Sequence, residues 1–110
     1  MNRKGEHVMS TVPNGRIYLD ITTIREVGKV TLTKGVWLEV KDEYSKYSTT
    51  LFMKKKSEMP TIMTRFLSHW KAIGLPVKII RCDNAGENRK LQETTKKQQY
   101  QLGITFEYTA

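Results

Sequence analysis

This sequence of 110 residues is poor in the residues that build disulfide frameworks, structural zinc sites and membrane spans. Its single cysteine, Cys82, excludes an intrachain disulfide, and with only His7 and His69 beside it there is no cluster of zinc-finger spacing. The longest apolar stretches are two or three residues, which excludes a membrane span of about 20 residues and the apolar segment of a signal peptide. The length allows one domain at most.

Acidic residues are also scarce relative to basic ones. The chain has 11 Asp and Glu against 19 Lys and Arg, which gives a net charge of +8. A basic domain is attracted to polyanions, because phosphate neutralisation supplies most of the non-specific affinity for nucleic acid, although charge alone is weak support for that partner. The 38% of hydrophobic residues is enough for a buried core, so the composition predicts a folded domain rather than a disordered chain.

The chain divides into an extended leader, residues 1–15, and a folded domain, residues 16–110. The leader has no apolar period and ends in the turn-forming residues Pro13, Asn14 and Gly15. Beyond it, alternation with period two predicts strands, and spacing of three or four residues predicts helices. The predicted elements are strands 17–22, 36–44 and 47–53, helix 57–73, strand 77–82, helix 87–102 and strand 104–110.

Two details of the predicted helices follow from their sequences. Ser57 is a candidate N-cap of the first helix, and Gly74 ends it. An apolar stripe made of Ile62, Phe66, Trp70 and Ile73, flanked by Met63 and Leu67, is expected to face the core.

The order β-β-β-α-β-α-β predicts an α/β domain with a five-stranded mixed sheet and helices packed on it. The first three strands form an antiparallel meander, and the later strands join in parallel through right-handed crossovers. Only the first strand has an open edge that can accept the strand ending at Asp83. We therefore expect Asp20 and Asp83 to lie side by side, with carboxylates about 4 to 7 Å apart.

Each aspartate alone has an ordinary structural explanation. Asp20 in mid-strand fits a bond to an arginine or to backbone donors, and Asp83 fits an Asx turn before a helix that Asn84 or Asn88 caps. Two carboxylates from adjacent strands are, however, a ligand set that Mg²⁺ accepts, since hard cations prefer oxygen donors. The pair therefore favours a divalent metal site.

Four stretches of this sequence resemble a known family. RIYLDI resembles its first catalytic strand, and WLEVKDEYSKYSTTLFMKKKSE resembles its pattern of an apolar strand, a D-[DE]-Y-S-[RK]-Y turn and a strand with a basic end. VKIIRCDNAGEN resembles the I-R-x-D-N-x-G-E signature, and LGITFEYTA resembles the strand before the final catalytic helix. Residues 16–110 are thus similar to the integrase catalytic core of copia-type retrotransposons, in the RNase H-like superfamily of polynucleotidyl transferases.

The resemblance implies an RNase H-like fold and a site for two Mg²⁺ or Mn²⁺ ions, with Asp20 bridging both ions and Asp83 holding one. Two such ions, about 3.5 to 4 Å apart, clamp the attacking and leaving oxygens of a phosphoryl transfer. The implied reaction is 3′-end processing of element DNA followed by strand transfer into target DNA. The implied partners are DNA and, as an option, further copies of the chain, with nuclear action and no membrane.

One part of the family pattern is missing from these 110 residues. The third ligand is a glutamate on a helix about 35 to 40 residues beyond Asp83, past the last residue, so we expect a C-terminally truncated core without its final helices. Glu87 is no substitute, because it belongs to the signature itself and is interpreted as a first-turn partner of the helix dipole. The alternative is a catalytically inactive remnant that at most binds nucleic acid without sequence preference.

Two surface features stay open at this point. The lysines of residues 54–56 either contact phosphate or form a solvated strand end that discourages edge pairing. Loss of the final helices is expected to expose apolar surface around Leu19, Ile104 and Phe106, which would promote association.

Overall fold

The computed structural model describes residues 11–24, 35–97 and 99–109. Residues 1–10 of the predicted leader, and most of the segment between the first two predicted strands, lie outside these ranges. The strands and helices follow the predicted order β-β-β-α-β-α-β, with a short 3₁₀ turn in addition before the first helix. They are β1 (Arg16–Ile24), β2 (Gly35–Asp42), β3 (Ser48–Met53), the 3₁₀ turn Lys56–Glu58, α1 (Met59–Ala72), β4 (Ile79–Asp83), α2 (Gly86–Thr95) and β5 (Thr105–Thr109).

The five strands form one mixed sheet in the order β3-β2-β1-β4-β5. Strands β1, β2 and β3 pair in antiparallel fashion, whereas β4 pairs in parallel with both β1 and β5. The predicted sheet is confirmed, and β4 lies beside β1 because the meander leaves that edge open. This arrangement places the strands of Asp20 and Asp83 next to each other.

Both helices contribute to one core on a single face of the sheet. Alternate strand residues are buried there, among them Leu38 of β2 and Ile80 of β4, which are fully inaccessible to solvent. Burial of each such side chain stabilises the fold by roughly 1.5–3 kcal/mol. The helices contribute Met59, Met63, Leu67 and Leu91 to the same core.

The centre of the face that α1 buries is rotated by about one residue from the predicted stripe, onto the line of the predicted flanking residues Met63 and Leu67. Met59, Met63 and Leu67, spaced by four, are the buried line. The predicted residues Ile62, Phe66 and Trp70 are only partly buried beside that line, and Ile73 is 55% exposed after the helix. Since both lines have helical spacing, periodicity alone does not choose between them. The predicted cap at Ser57 is wrong, because that residue lies in the 3₁₀ turn and α1 begins at Met59.

Helix α2 is shorter than predicted and ends at Thr95 instead of residue 102. The four residues that follow, KKQQ, are polar, so a longer helix would bury nothing there. Backbone conformation changes instead: Gln101 and Gly103 adopt positive φ angles of 44° and 63°. This turn brings the amide of Leu102 to 3.4 Å from the carbonyl oxygen of Thr95 and starts the path into β5.

The expected exposed apolar surface lies elsewhere. Leu19 is only 7% exposed because it faces the helices, and Ile104 and Phe106 are partly buried against the core. Exposed aromatic rings occur instead on the opposite face, where Trp37 of β2 and Phe52 of β3 lie with ring centroids 5.3 Å apart. Within the ranges described above, no helix is long and apolar enough to span a membrane.

Candidate metal centre

The face of the sheet turned away from the helices carries both predicted metal ligands. Hydrogen-bonded pairing of β1 with β4 ends at Tyr18 and Arg81, and Asp20 and Asp83 follow two residues later on their strands. Because side chains alternate along a strand, the two carboxylates lie on the same face as Tyr18 and Arg81. They therefore occupy equivalent positions near the carboxyl ends of two parallel strands.

The two aspartates line one shallow cleft of about 270 Å³. The carboxyl ends of parallel strands are where ligands bind in open α/β sheets. The structure thus brings Asp20 and Asp83 together, while their predicted separation of 4 to 7 Å stays a prediction. The remaining lining residues are Tyr18, Leu19, Arg81, Cys82 and Thr109.

Asp20 is exposed, and it makes no hydrogen bond or ion pair with any residue that the structure describes. The alternative of an arginine partner is not realised there, since Arg16 of the same strand pairs with Glu43 and Glu107. On β2, the residue directly opposite Asp20 is the exposed Glu39. Like charges in directly opposite positions destabilise a sheet, and a bound cation relieves that repulsion.

Asp83 uses one carboxylate oxygen within the protein. Its Oδ1 accepts a hydrogen bond from the amide of Ala85 at 3.2 Å, which is an Asx turn, and a second from Nδ2 of Asn88 at 2.9 Å. The predicted Asx turn is therefore present. In the described part of the chain Oδ2 accepts no hydrogen bond, so that oxygen is available to a ligand.

The sequence analysis missed how Asn88 acts. Neither Asn84 nor Asn88 caps α2, whose N-cap residue is Ala85 without a side-chain cap. Asn88 is instead 2% exposed and donates from Nδ2 to both the carbonyl oxygen and Oδ1 of Asp83. The sequence did contain a signal for this role, because Asn88 is a polar residue three positions before Leu91 and therefore lies on the buried side of the predicted helix.

The other candidates have structural roles. Glu87 lies in the first turn of α2, in agreement with its interpretation as a dipole partner. The lysines of residues 54–56 are exposed at the end of β3. Burial, followed by the nearby charge of Asp83, raises the pKa of the Cys82 thiol to about 11, so this cysteine stays protonated and is a poor nucleophile or ligand.

A network of charged and polar side chains lies next to the cleft on the same face. The Arg16 guanidinium contacts Glu43 at 3.2 Å and Glu107 at 3.0 Å, and the Tyr18 hydroxyl donates a hydrogen bond to Glu43. Burial is the main cause that raises the pKa of Tyr18, and the bond to Glu43 raises it further. These contacts link β1 to the turn after β2 and to β5. Strands β1 and β5 are the two neighbours of β4, the strand that holds Asp83.

The donor set fits one hard divalent cation. Asp20 offers a carboxylate and Asp83 offers one free oxygen, while Mg²⁺ typically takes one or two carboxylates and keeps several waters. Among the described residues, no three Asp, Glu, His or Cys side chains converge as a metal site. The third carboxylate that a two-ion site requires is therefore not supplied by that part of the chain.

Comparison with known proteins identifies the fold. No protein-family model and no curated protein matches this chain. Solved structures do: a chain of the simian T-cell lymphotropic virus intasome in complex with PP2A regulatory subunit B56 gamma has a TM-score of 0.67 and 19% identity over 93% of this chain. The HTLV-2 integrase catalytic core domain in complex with magnesium has TM-scores of 0.64 for its trimeric form and 0.63 for its dimeric form, each at 22% identity, over 90% and 89% of this chain.

At these identities the likeness is one of fold. The chain has the RNase H-like fold of retroviral integrase catalytic cores, with the same type of five-stranded mixed sheet. It spans 34% of the intasome chain and 62% of each HTLV-2 core chain.

Proposed function

We propose that residues 16–110 belong to the integrase catalytic core of a copia-type retrotransposon and contribute two of its metal ligands, Asp20 and Asp83. One observation carries the proposal: two carboxylates with unused oxygens occupy equivalent positions on adjacent parallel strands and line the same cleft. The sequence resemblance supplies the copia type, and the shared fold supports the integrase class.

In this proposal the two aspartates hold a Mg²⁺ or Mn²⁺ ion between β1 and β4. When bound, such an ion polarises a phosphoryl oxygen and lowers the pKa of a bound water or hydroxyl. The magnesium in the HTLV-2 core structures supports this choice of ion. Asp20 is the more accessible ligand, because no described residue occupies its carboxylate, whereas Asp83 is oriented by α2.

Processing and joining of DNA ends is proposed for the complete two-ion site. That site needs a third carboxylate, which the described residues do not provide. We therefore expect the 110-residue chain to bind a single divalent ion and not to join DNA strands. The dimeric and trimeric HTLV-2 cores make self-association part of the same proposal.

DNA is the proposed partner because the chain has a net charge of +8. Binding by charge is independent of the DNA sequence and weakens steeply as the salt concentration rises. The reason is that the release of counterions from the DNA gains less entropy when the solution already contains many ions. Neutralising Asp20 or Asp83 should barely change this binding, because neither carboxylate contributes to phosphate neutralisation.

Binding of Mn²⁺ tests the proposal. Isothermal titration calorimetry and paramagnetic broadening of amide signals are measured on the wild-type chain and on Asp20→Asn, Asp83→Asn and Glu39→Gln. We expect one bound ion, broadening centred on β1 and β4, and loss of binding in both aspartate variants. Glu39→Gln is the matched control, because it removes the same charge from the position opposite Asp20. Absence of binding in the wild type, or equal losses in all three variants, contradicts the proposal.

A second candidate function is a nucleic-acid-binding module without catalysis. It is favoured by the lack of a third converging carboxylate in the described ranges. Mn²⁺ binding separates the two candidates, and a strand-transfer assay with Mn²⁺ tests the expectation, common to both, that this chain joins no DNA strands. Activity in this chain that Asp20→Asn abolishes would show that another residue replaces the glutamate, whereas salt-sensitive DNA binding without Mn²⁺ binding supports the module.

A further inference from the structure

We infer that Asn88 is a positioning residue of the metal centre, whose amide fixes Oδ1 of Asp83 and leaves Oδ2 as the oxygen that binds the ion. The inference rests on the proposed function of Asp20 and Asp83. It concerns a residue outside the copia-type signature, and its support is the geometry at the start of α2.

The hydrogen bonds of Asn88 fix the orientation of the Asp83 carboxylate by holding one of its two oxygens. Nδ2 lies 3.1 Å from the carbonyl oxygen of Asp83 and 2.9 Å from Oδ1, so one amide group holds both the backbone and the side chain. The amide of Ala85, at 3.2 Å, is the second donor to Oδ1. A carboxylate oxygen accepts about two hydrogen bonds, so Oδ1 is saturated and Oδ2 is the remaining ligand atom.

Asn88 occupies a position where an apolar residue would contribute more to stability. It is 2% exposed and lies on the buried side of α2, on one face with Leu91 and Thr95. Its own Oδ1 is buried without a hydrogen-bond partner in the described part of the structure. Leaving a buried acceptor unsatisfied destabilises a fold, and residues that conflict with stability in this way are typical of functional sites.

The neutrality of the amide matters for the ion. Asn88 orients Asp83 by donating a hydrogen bond, and it adds no positive charge that would repel a cation from Oδ2. Lysine or arginine at the same position would offer donors but would compete with the metal for the carboxylate. Hydrogen bonds of this kind to a metal ligand commonly change metal affinity by about 10- to 100-fold.

The test compares Asn88→Leu and Asn88→Ala with Thr95→Val, a buried polar residue at the far end of the same helix. Circular dichroism melts report folding, and calorimetry with Mn²⁺ reports affinity. We expect about 10- to 100-fold weaker Mn²⁺ binding for both Asn88 variants, with unchanged affinity for Thr95→Val. Asn88→Ala serves if the larger leucine disturbs folding.

A readout without metal tests the hydrogen bond itself. The side-chain amide protons of Asn88 should exchange slowly with solvent in the wild type and faster in Asp83→Ala, as NMR can measure. Fast exchange in the wild type, or Mn²⁺ affinity that stays within twofold in both Asn88 variants, overturns the inference while the aspartate site stands. If the wild-type chain binds no Mn²⁺, the proposed function fails, and the role of Asn88 at the metal fails with it.

Discussion

Removal of the Arg16 side-chain charge should destabilise this domain more than any exposed substitution. The guanidinium lies in the middle of the network beside the cleft, 3.2 Å from Oε1 of Glu43 and 3.0 Å from Oε1 of Glu107. The side chains of Arg16 and Glu43 are 9% and 2% exposed, so this pair is buried, whereas Glu107 is 38% exposed. Arg16→Met keeps most of the aliphatic length and deletes the charge.

The size of the effect follows from what the substitution leaves behind. Glu43 would lose its ion pair with Arg16 while it keeps its hydrogen bond from Tyr18, and removal of one partner from a buried ion pair costs about 3–5 kcal/mol. The more exposed branch to Glu107 adds only about 0–1 kcal/mol. Because domains of this size are stable by about 5–15 kcal/mol, Arg16→Met should remove a large part of the total.

Urea unfolding followed by tryptophan fluorescence measures this loss. Arg65→Met is the matched control, since Arg65 is exposed on α1 and should change the free energy of unfolding by less than about 0.5 kcal/mol. Glu43→Gln should cost less than Arg16→Met, because an amide oxygen still accepts from Arg16 and the Tyr18 hydroxyl can accept from the amide nitrogen. A cost for Arg16→Met within about 1 kcal/mol of the control would refute a stabilising role for the network.

Two further predictions concern pH and DNA. Because burial and the bond to Glu43 raise the pKa of Tyr18 in the fold, its neutral form contributes stability that is complete below pH 10 and is lost as pH rises through the folded pKa. Melts between pH 8 and 11 should therefore fall less steeply for Tyr18→Phe than for the wild type, and parallel curves would contradict this. Arg89 is held by two contacts: its Nε donates to Oδ1 of Asn84 at 2.6 Å, and its guanidinium lies 6.0 Å from the Tyr108 ring centroid. Arg89→Ala should weaken DNA binding and reduce the salt slope by about 1, measured by fluorescence anisotropy with Arg65→Ala as control; an unchanged slope would exclude a phosphate contact.

The sheet could be predicted from the sequence because its strands alternate in hydrophobicity and their connections leave few topologies. Asp20 lies on the strand whose edge the meander leaves open, and Asp83 ends the strand that follows the first crossover helix. The adjacency of the two aspartates therefore follows from the strand order. The side chain of Asn88 could not be placed in the same way. Its role depends on where α2 begins relative to Asp83, and that start is set by the Asx turn and by contacts with α1.

The faces of the helices show the same limit. Periodicity indicates that α1 has an apolar side, but the buried line through Met63 and the neighbouring line through Phe66 both satisfy it. Packing against the sheet decides between them, since only one line interlocks with the strand residues below. The end of α2 depended on a negative property, the absence of apolar residues at positions 96–99, which is a weaker signal than a proline or glycine.

The charge distribution links the fold to the proposed chemistry. Although the chain has a net charge of +8, Glu39, Asp20 and Asp83 occupy one row across three neighbouring strands of the open face. Without a cation this row repels both itself and the phosphates that the rest of the surface attracts. In the proposed function, a divalent ion at Asp20 and Asp83 would remove the repulsion at the cleft where a phosphate is expected to approach the carboxylates. If the proposed function holds, we therefore expect metal binding to be a condition for productive contact with DNA at the cleft, and we expect the basic surface elsewhere to bind DNA with or without the ion.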